Sequence, residues 1–199
     1  MTFSKGSIEA LGSELKCGEG EWMVRTELTV GRMADEQLSS FHLRQDDALR
    51  TLRPGGWAWS LKYRCIFVLE HSRTDDTKLE PDVDPFNEPP PEELERLKKR
   101  AEEKVVKYEG LVQAIKLGYP AYTVQCVAFV IGAKLSFEEE RWRQNLGMFE
   151  ERTSKGGRRP ALSEAVHKRI IKRSVLAAAK ATVSCWNTRL KAPHRAAGP

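Results

Sequence analysis

"GGWAWSLKYRCIFVLEHSRT", residues 55–74, contains the strongest strand pattern in the chain. Residues 57–60 alternate bulky and small side chains, and residues 65–69 form the continuous apolar run CIFVL. A run this short that is rich in Val, Ile and Phe is typical of a buried central strand, and residues 61–64 can form the turn between two strands. The second strand ends on Glu70, which is either a solvated strand end or one half of a metal site.

The segments on both sides extend this hairpin into a mixed order of helices and strands. Alternating or continuous apolar residues predict strands over residues 22–30, 57–60, 65–69 and 122–131. Apolar residues that recur every three or four positions predict helices over residues 8–16, 92–117, 137–149 and 161–190. This order predicts an α/β protein of the mixed α+β kind, with a central sheet of about four strands and helices packed on it.

Composition limits the class of protein and its compartment. The chain has 199 residues with 40% hydrophobic and 31% charged content, which is typical of one soluble globular domain. No run approaches the length of a membrane span, so no membrane partner is expected. The first residues lack an apolar stretch, and the four cysteines are far apart without a CxxC pair. We therefore expect an intracellular protein, nuclear or cytoplasmic, with no secretory signal and no structural zinc site.

Charge is distributed unevenly along the chain. Residues 150–199 contain twelve basic and three acidic residues, a net charge of +9, which leaves −4 for the first 149 residues. Such asymmetry favours a polyanionic partner, and the alternative is a solvated helix face. Candidate nucleic-acid-binding residues are the arginines and lysines of this region together with one arginine after the central strand: Arg158, Arg159, Lys168, Arg169, Lys172, Arg173 and Arg73.

The expected domain organisation follows from these composition shifts. Residues 1–150 are predicted to form the main domain, and it contains an acidic, proline-rich loop at residues 75–91 that is expected to be extended or disordered. A basic linker follows at residues 151–160. A basic amphipathic helix is predicted over residues 161–190, and a flexible tail over residues 191–199.

Five short motifs in a fixed order resemble those of a known family. They are Arg53-Pro54-Gly55-Gly56, residues 68–74 with the sequence VLEHSRT, residues 104–108 with KVVKY, residues 128–132 with AFVIG, and residues 143–146 with RQNL. Together, over about residues 20–150, they resemble the PD-(D/E)xK restriction-like endonuclease domain of non-LTR retrotransposon proteins and their stand-alone relatives. The resemblance implies a restriction-endonuclease-like fold.

The resemblance also implies which catalytic groups are missing. Chemistry in that family needs two carboxylates that hold a divalent metal and a lysine that stabilises the attacking hydroxide or the phosphate. Here the motif aspartate falls on Gly55 and the motif lysine on Ser72, so that only Glu70 is kept. Loss of one such stabiliser commonly costs a factor of about 10²–10³ in rate. The expectation is therefore a nucleic-acid-binding protein, inactive or very weak as a nuclease and without a cofactor, with DNA favoured over RNA.

Two alternatives stay open at this point. The first is an active Mg²⁺-dependent endonuclease with migrated groups, in which Glu70 and Asp46 or Asp47 hold the metal and Lys104 acts on the phosphate. In that alternative the catalytic residues are Glu70, Lys104 and Asp47. Glu27 could replace the aspartate as the second carboxylate, and Lys107 or Arg73 could replace Lys104 as the cation. The second is a protein-interaction scaffold whose basic tail binds an acidic protein. His71 is assigned no role, and Trp57 and Trp59 are predicted to be core residues rather than base-stacking ones.

Overall fold

The computed structural model describes residues 3–15, 22–26, 30, 32, 49, 51–73, 90–132, 135–152 and 155–191. Within these ranges the helices are α1 (Phe3–Glu14), α2 (Pro91–Lys107), α3 (Glu109–Gly118), α4 (Glu139–Gly147) and α5 (Glu164–Lys191). The strands are β1 (Met23–Thr26), β2 (Gly56–Ser60), β3 (Cys65–Arg73), β4 (Thr123–Ile131), β5 (Glu150–Arg152) and β6 (Arg158–Pro160). Glu27, Asp46, Asp47 and residues 75–89 of the predicted acidic loop lie outside the described residues.

Four strands form one mixed sheet in the order β1-β2-β3-β4. The β1–β2 and β2–β3 pairs are antiparallel, and β3–β4 is parallel, with α2 and α3 in the connection between them. A parallel pair requires such a crossover, because the chain must return to the same end of the sheet. The predicted mixed α+β class, with a sheet of four strands flanked by helices, is confirmed.

The CIFVL run is buried because both faces of β3 are covered. Cys65, Phe67 and Leu69 pack in the cluster that contains α1, α4 and α5 residues. Ile66 and Val68 pack on the opposite face with residues of α3. Strand residues alternate between faces, so a strand covered on both sides loses the polar alternation of a surface strand.

Trp57 and Trp59 lie on the α3 face of the sheet. Both are buried in the same cluster as Ile66 and Val68. Burial of a whole indole removes its apolar surface from water, which is a large stabilising contribution. The prediction that these two side chains belong to the core is confirmed.

The long helix predicted over residues 92–117 is divided into two at Tyr108. That residue has φ −103° and ψ 6°, and it ends α2 and precedes α3. Helix α2 buries only Leu97 and Ala101 and leaves Val105 exposed, whereas α3 buries Leu111, Val112 and Ile115. The sequence pattern predicted the apolar stripe but not the division into two helices.

Helix α4 covers the outer edge of β4. The Trp142 indole Nε1 donates to the Val130 carbonyl over 3.2 Å, and the Asn145 amide Nδ2 donates to the Ala128 carbonyl over 2.9 Å. Within the described residues β4 is an edge strand of the sheet, and unpaired backbone groups on such an edge favour pairing with other chains. Two side chains of α4 therefore satisfy carbonyls of an otherwise open edge.

The C-terminal third differs in detail from the predicted organisation. Residues 151–160 were expected to be a linker, but β5 and β6 pair in antiparallel fashion, with Glu150 opposite Pro160. The long last helix runs from Glu164 to Lys191, so its ends differ by one to three residues from the expected range. Among the described residues, no helix combines the length and apolar character needed to cross a bilayer.

Candidate functional site

Glu70 was expected to end its strand, but β3 continues to Arg73, so Glu70 lies within the strand, opposite Ala128 of the parallel strand β4. Alternation along β3 places its side chain on the same face as Ile66 and Val68, the face covered by α2 and α3. Its side chain is only 9% exposed. A buried carboxylate is costly unless charged or hydrogen-bonding groups satisfy it, so its neighbours define the chemistry of this position.

Both oxygens of the Glu70 carboxylate have partners from the helix above. Lys104 Nζ donates to Oε1 over 2.9 Å, and the Lys104 side chain is 17% exposed. Tyr108 Oη lies 3.1 Å from Oε2 and 3.0 Å from the Arg53 carbonyl oxygen, and its single proton serves one of the two at a time. Lys107 Nζ donates to Tyr108 Oη over 3.1 Å. We call these groups the Glu70 cluster: Glu70, Lys104, Lys107, Tyr108 and the Arg53 carbonyl.

The surroundings of the Glu70 cluster keep the Tyr108 hydroxyl protonated and neutral. Burial, followed by the charge of Glu70, raises the pKa of Tyr108 well above its usual range. Burial also raises the pKa of the nearby Cys126 thiol to about 12, and Glu70 adds to this shift while Lys107 opposes it. Tyr108 is therefore a hydrogen-bond donor at neutral pH, and Cys126 is an unreactive thiol.

His71 points to the opposite face of the sheet from Glu70. Its ring packs against Phe129, with 4.7 Å between ring centroids. Burial lowers the pKa of His71 to about 3, so the imidazole is neutral at physiological pH. A neutral histidine on the other side of the sheet does not take part in the chemistry of Glu70.

The three motif positions meet at one end of the sheet. Gly55 directly precedes Gly56, whose partner is Leu69, and Ser72 is two residues beyond Glu70 on the same face. A Cβ added at Gly55 would lie 3.1 Å from the His71 backbone nitrogen and 3.3 Å from the Leu69 carbonyl oxygen. An aspartate at position 55 therefore needs a shift of a few tenths of an ångström in its neighbours.

The candidate catalytic residues are only partly described. The structure brings Lys104 into direct contact with Glu70, although 34 positions separate them in sequence. The backbone of Arg73 forms the last residue of β3, and its side chain lies outside the described part of the chain, as do Asp46 and Asp47.

A divalent metal does not fit the Glu70 cluster. Mg²⁺ needs oxygen ligands around a nearly octahedral centre, and no group of three or more His, Cys, Asp or Glu side chains within the described ranges is arranged to hold a metal. Both Glu70 oxygens are engaged, and one partner is itself a cation. A divalent ion about 4 Å from an ammonium is repelled by about 8 kcal/mol at an effective dielectric constant of 20.

The predicted nucleic-acid-binding residues fall into two groups. Arg169 and Arg173 face α1: Arg169 makes a two-pronged contact with the Glu14 carboxylate at 2.7 and 2.6 Å, and Arg173 donates to Ser13 Oγ over 2.8 Å. The hydrogen bond from Arg169 is the main cause that lowers the pKa of Glu14. These two arginines therefore hold α5 against α1, and a phosphate would have to compete with Glu14 for them.

The remaining basic residues are more open to solvent. Lys168 and Lys172 are exposed one turn apart on α5, and Arg158 and Arg159 are exposed on β6. Arg158 pairs with Glu150 at 3.3 Å and Lys168 with Glu164 at 3.8 Å, and both pairs are solvent-exposed. Exposed pairs contribute little and exchange readily, so Arg158 and Lys168 are available to an anionic partner. We call Arg158, Arg159, Lys168 and Lys172 the basic surface.

Two members of the Glu70 cluster were not predicted as site residues. Tyr108 entered only as the last residue of the KVVKY motif, and Arg53 only as the first residue of Arg53-Pro54-Gly55-Gly56. The signal that could have found Tyr108 is its spacing of four residues from Lys104, which puts both side chains on one helix face.

Comparisons with known proteins give little that bears on function. No protein-family model matches the chain, and no curated protein sequence matches it. One solved structure that it resembles is an N-terminal domain of a reptarenavirus L protein, with 16% sequence identity and a TM-score of 0.37. That match covers 86% of this chain and 74% of the other. Function therefore has to be argued from the residues of the chain itself.

Proposed function

We propose that this protein binds nucleic acid through the basic surface and does not cleave it. The observation that carries the non-cleaving half of the proposal is the ion pair between Glu70 and Lys104 at 2.9 Å, which puts an ammonium beside the one motif carboxylate that is kept. The adjoining positions of Gly55, Glu70 and Ser72 support descent from a PD-(D/E)xK domain of the retrotransposon kind. A nucleic-acid partner also fits a location inside the cell, in the nucleus or the cytoplasm.

Binding is supported by the geometry and charge of the basic surface. Lys168 and Lys172 project from the same side of α5, and the net charge of residues 150–199 is +9. Phosphate contacts from lysine and arginine release counterions, which gives affinity without sequence preference.

The binding test uses salt and a charge-reversal pair. Wild-type affinity for a DNA duplex should fall by about 10² between about 50 and 200 mM salt, as expected for about four phosphate contacts, one for each cation of the basic surface. Lys168→Glu with Lys172→Glu should weaken binding at least tenfold and reduce the salt slope by about 2. The matched control reverses Lys99 and Lys116, two exposed lysines of α2 and α3, and it should keep the wild-type slope.

Two results would overturn the binding half of the proposal. One is absence of binding to single- and double-stranded DNA and RNA at about 50 mM salt, which would favour a scaffold that binds an acidic protein. The other is equal loss of affinity in the Lys168/Lys172 variant and in the control. That result would show a response to net charge rather than to a binding surface.

The contact between Lys104 and Glu70 also favours a second candidate, a Mg²⁺-dependent endonuclease in which Lys104 has taken over the role of the motif lysine. That candidate still needs another carboxylate beside Glu70. A cleavage assay with Mg²⁺ or Mn²⁺ separates the two candidates. We expect no cleavage by wild type and some gain in the Gly55→Asp/Ser72→Lys variant. Metal-dependent cleavage by wild type that Glu70→Ala abolishes would establish the second candidate.

A further inference from the structure

We infer that Arg169 and Arg173 are a second pair of phosphate-binding residues, which Glu14 occupies in the free protein, so that Glu14 limits the affinity for nucleic acid. The inference rests on the binding half of the proposed function and deepens it. It adds two arginines to the interface and names the group that competes with the ligand for them. The ligand class is a phosphodiester backbone.

The two guanidinium groups are at the surface, whereas the carboxylate that holds them is recessed. The side chains of Arg169 and Arg173 are 56% and 52% exposed, and that of Glu14 is 14% exposed. An arginine fork binds a carboxylate or a phosphate with the same two-pronged geometry. Glu14 therefore takes the place at which Arg169 would bind a phosphate.

The arginine pair adjoins the lysines of the basic surface. Arg169 and Lys172 are three positions apart on α5, and residues with this spacing are neighbours on a helix surface. Arg173 directly follows Lys172 in the chain. Duplex DNA carries about one charge per 1.7 Å of its axis, so a backbone that contacts Lys168 and Lys172 also places phosphates beside the arginines.

Helix α5 stays packed on the domain when the arginines leave Glu14. Its residues Ile170, Ile171 and Ala178 are buried in the core cluster, and they do not depend on the ion pairs. Arg173 also lines a cavity of about 280 Å³ between α1 and α5, which gives its side chain room to turn. What opposes release is the recessed Glu14 carboxylate, because it loses its charged partner. That cost is the reason why Glu14 lowers the affinity.

The experiment measures the affinity for a DNA duplex by fluorescence anisotropy between about 50 and 200 mM salt. Glu14→Gln should raise the affinity about tenfold or more at about 50 mM salt, and it should steepen the salt slope by about 2, as expected for two added phosphate contacts. The matched control is Glu95→Gln on α2, which removes the same charge from another exposed acid and should change the affinity less than about twofold.

A second background separates competition from net charge. In a protein that carries Arg169→Gln and Arg173→Gln, the same Glu14→Gln change should alter the affinity less than about twofold, although it adds the same charge. Glu14→Asp keeps the charge and draws the carboxylate back from the arginines by one methylene, so it should give a smaller gain than Glu14→Gln. Urea unfolding of each variant verifies that it is folded.

Unchanged affinity in Glu14→Gln, or an equal gain in the background without the two arginines, would overturn the inference and leave the proposed function standing. If Glu14→Gln does not fold, unchanged affinity in Glu14→Asp would overturn it in the same way. Binding by Glu14→Gln but not by wild type would support the inference and refute the proposed function of the wild-type protein. Absence of binding by both proteins to single- and double-stranded DNA and RNA would refute both.

Discussion

Replacing Lys104 with methionine is expected to destabilise the fold by about 3 kcal/mol, because the substitution leaves the Glu70 carboxylate buried without its cation. The two charges are 2.9 Å apart, and their side chains are 17% and 9% exposed. At an effective dielectric constant of 20 the attraction at that distance is about 6 kcal/mol, and dehydration of both groups offsets most of it in the intact pair. The variant keeps the dehydration of Glu70 and loses the attraction.

The partner substitution should cost less. Glu70→Leu is expected to destabilise by about 1–2 kcal/mol, because Tyr108 keeps the Arg53 carbonyl as its acceptor and the more exposed Lys104 ammonium can turn toward water. Replacing both groups with apolar residues, Glu70→Leu with Lys104→Met, should return stability to within about 1 kcal/mol of wild type. The interaction energy of the pair would then be several kcal/mol, so the effects of the two substitutions would be far from additive.

The assay is equilibrium unfolding in urea, followed by the fluorescence of the five tryptophans. The slope of the unfolding free energy against urea concentration should stay constant among the variants, so that a shift in the midpoint reports a change in stability alone. Lys107→Met is the control, because it removes a lysine whose ammonium binds Tyr108, and it should cost less than about 1 kcal/mol. A loss below about 1 kcal/mol in Lys104→Met, or single effects that sum to the double within about 0.5 kcal/mol, would refute the buried-pair argument.

Three further outcomes follow from groups outside the ion pair. Burial lowers the pKa of His71 to about 3 from an ordinary value of 6.5, so the unfolded chain binds a proton that the folded chain does not. Unfolding free energy should fall as pH drops from about 6.5 toward 3, and His71→Leu should flatten this slope; an unchanged slope would contradict the buried neutral histidine. Burial raises the pKa of Cys126 to about 12, so alkylation at pH 8, mapped by mass spectrometry, should be at least about 10²-fold slower in native than in urea-unfolded protein. Equal rates would show that the thiol is accessible. Asn145→Ala removes a hydrogen bond to the Ala128 carbonyl of the edge strand and should cost about 1 kcal/mol with more light scattering, whereas the exposed neighbour Gln144→Ala should change neither. Matching behaviour of these two variants would argue against edge protection.

Local patterns in the chain were sufficient for β2, β3 and β4. The strand expected over residues 22–30 is found only as β1, Met23–Thr26, and Val30 is helical. The CIFVL run, the turn after Ser60 and the apolar stretch of β4 predicted the strands, because a strand covered on both faces needs continuous apolar residues and tight turns between antiparallel neighbours. The same logic placed Trp57 and Trp59 in the core. Glu70 was singled out because a carboxylate directly after such an apolar run is unusual. The sequence alone shows this, without knowledge of which residues surround Glu70 in space.

Contacts between distant residues could not be predicted in this way. Lys104 and Glu70 meet because α2 packs on the face of the sheet that carries Glu70, and Tyr108 joins them because it lies one helical turn beyond Lys104. Arg169 appeared equivalent to Lys168 in the sequence, yet it is held by Glu14, 155 positions away. Periodicity reports which face of an element is apolar, but it does not report which element lies opposite that face. That information comes from the packing of the whole chain. Here the packing brings a lysine rather than a second carboxylate to Glu70, so the described residues form an ion pair and not a metal site.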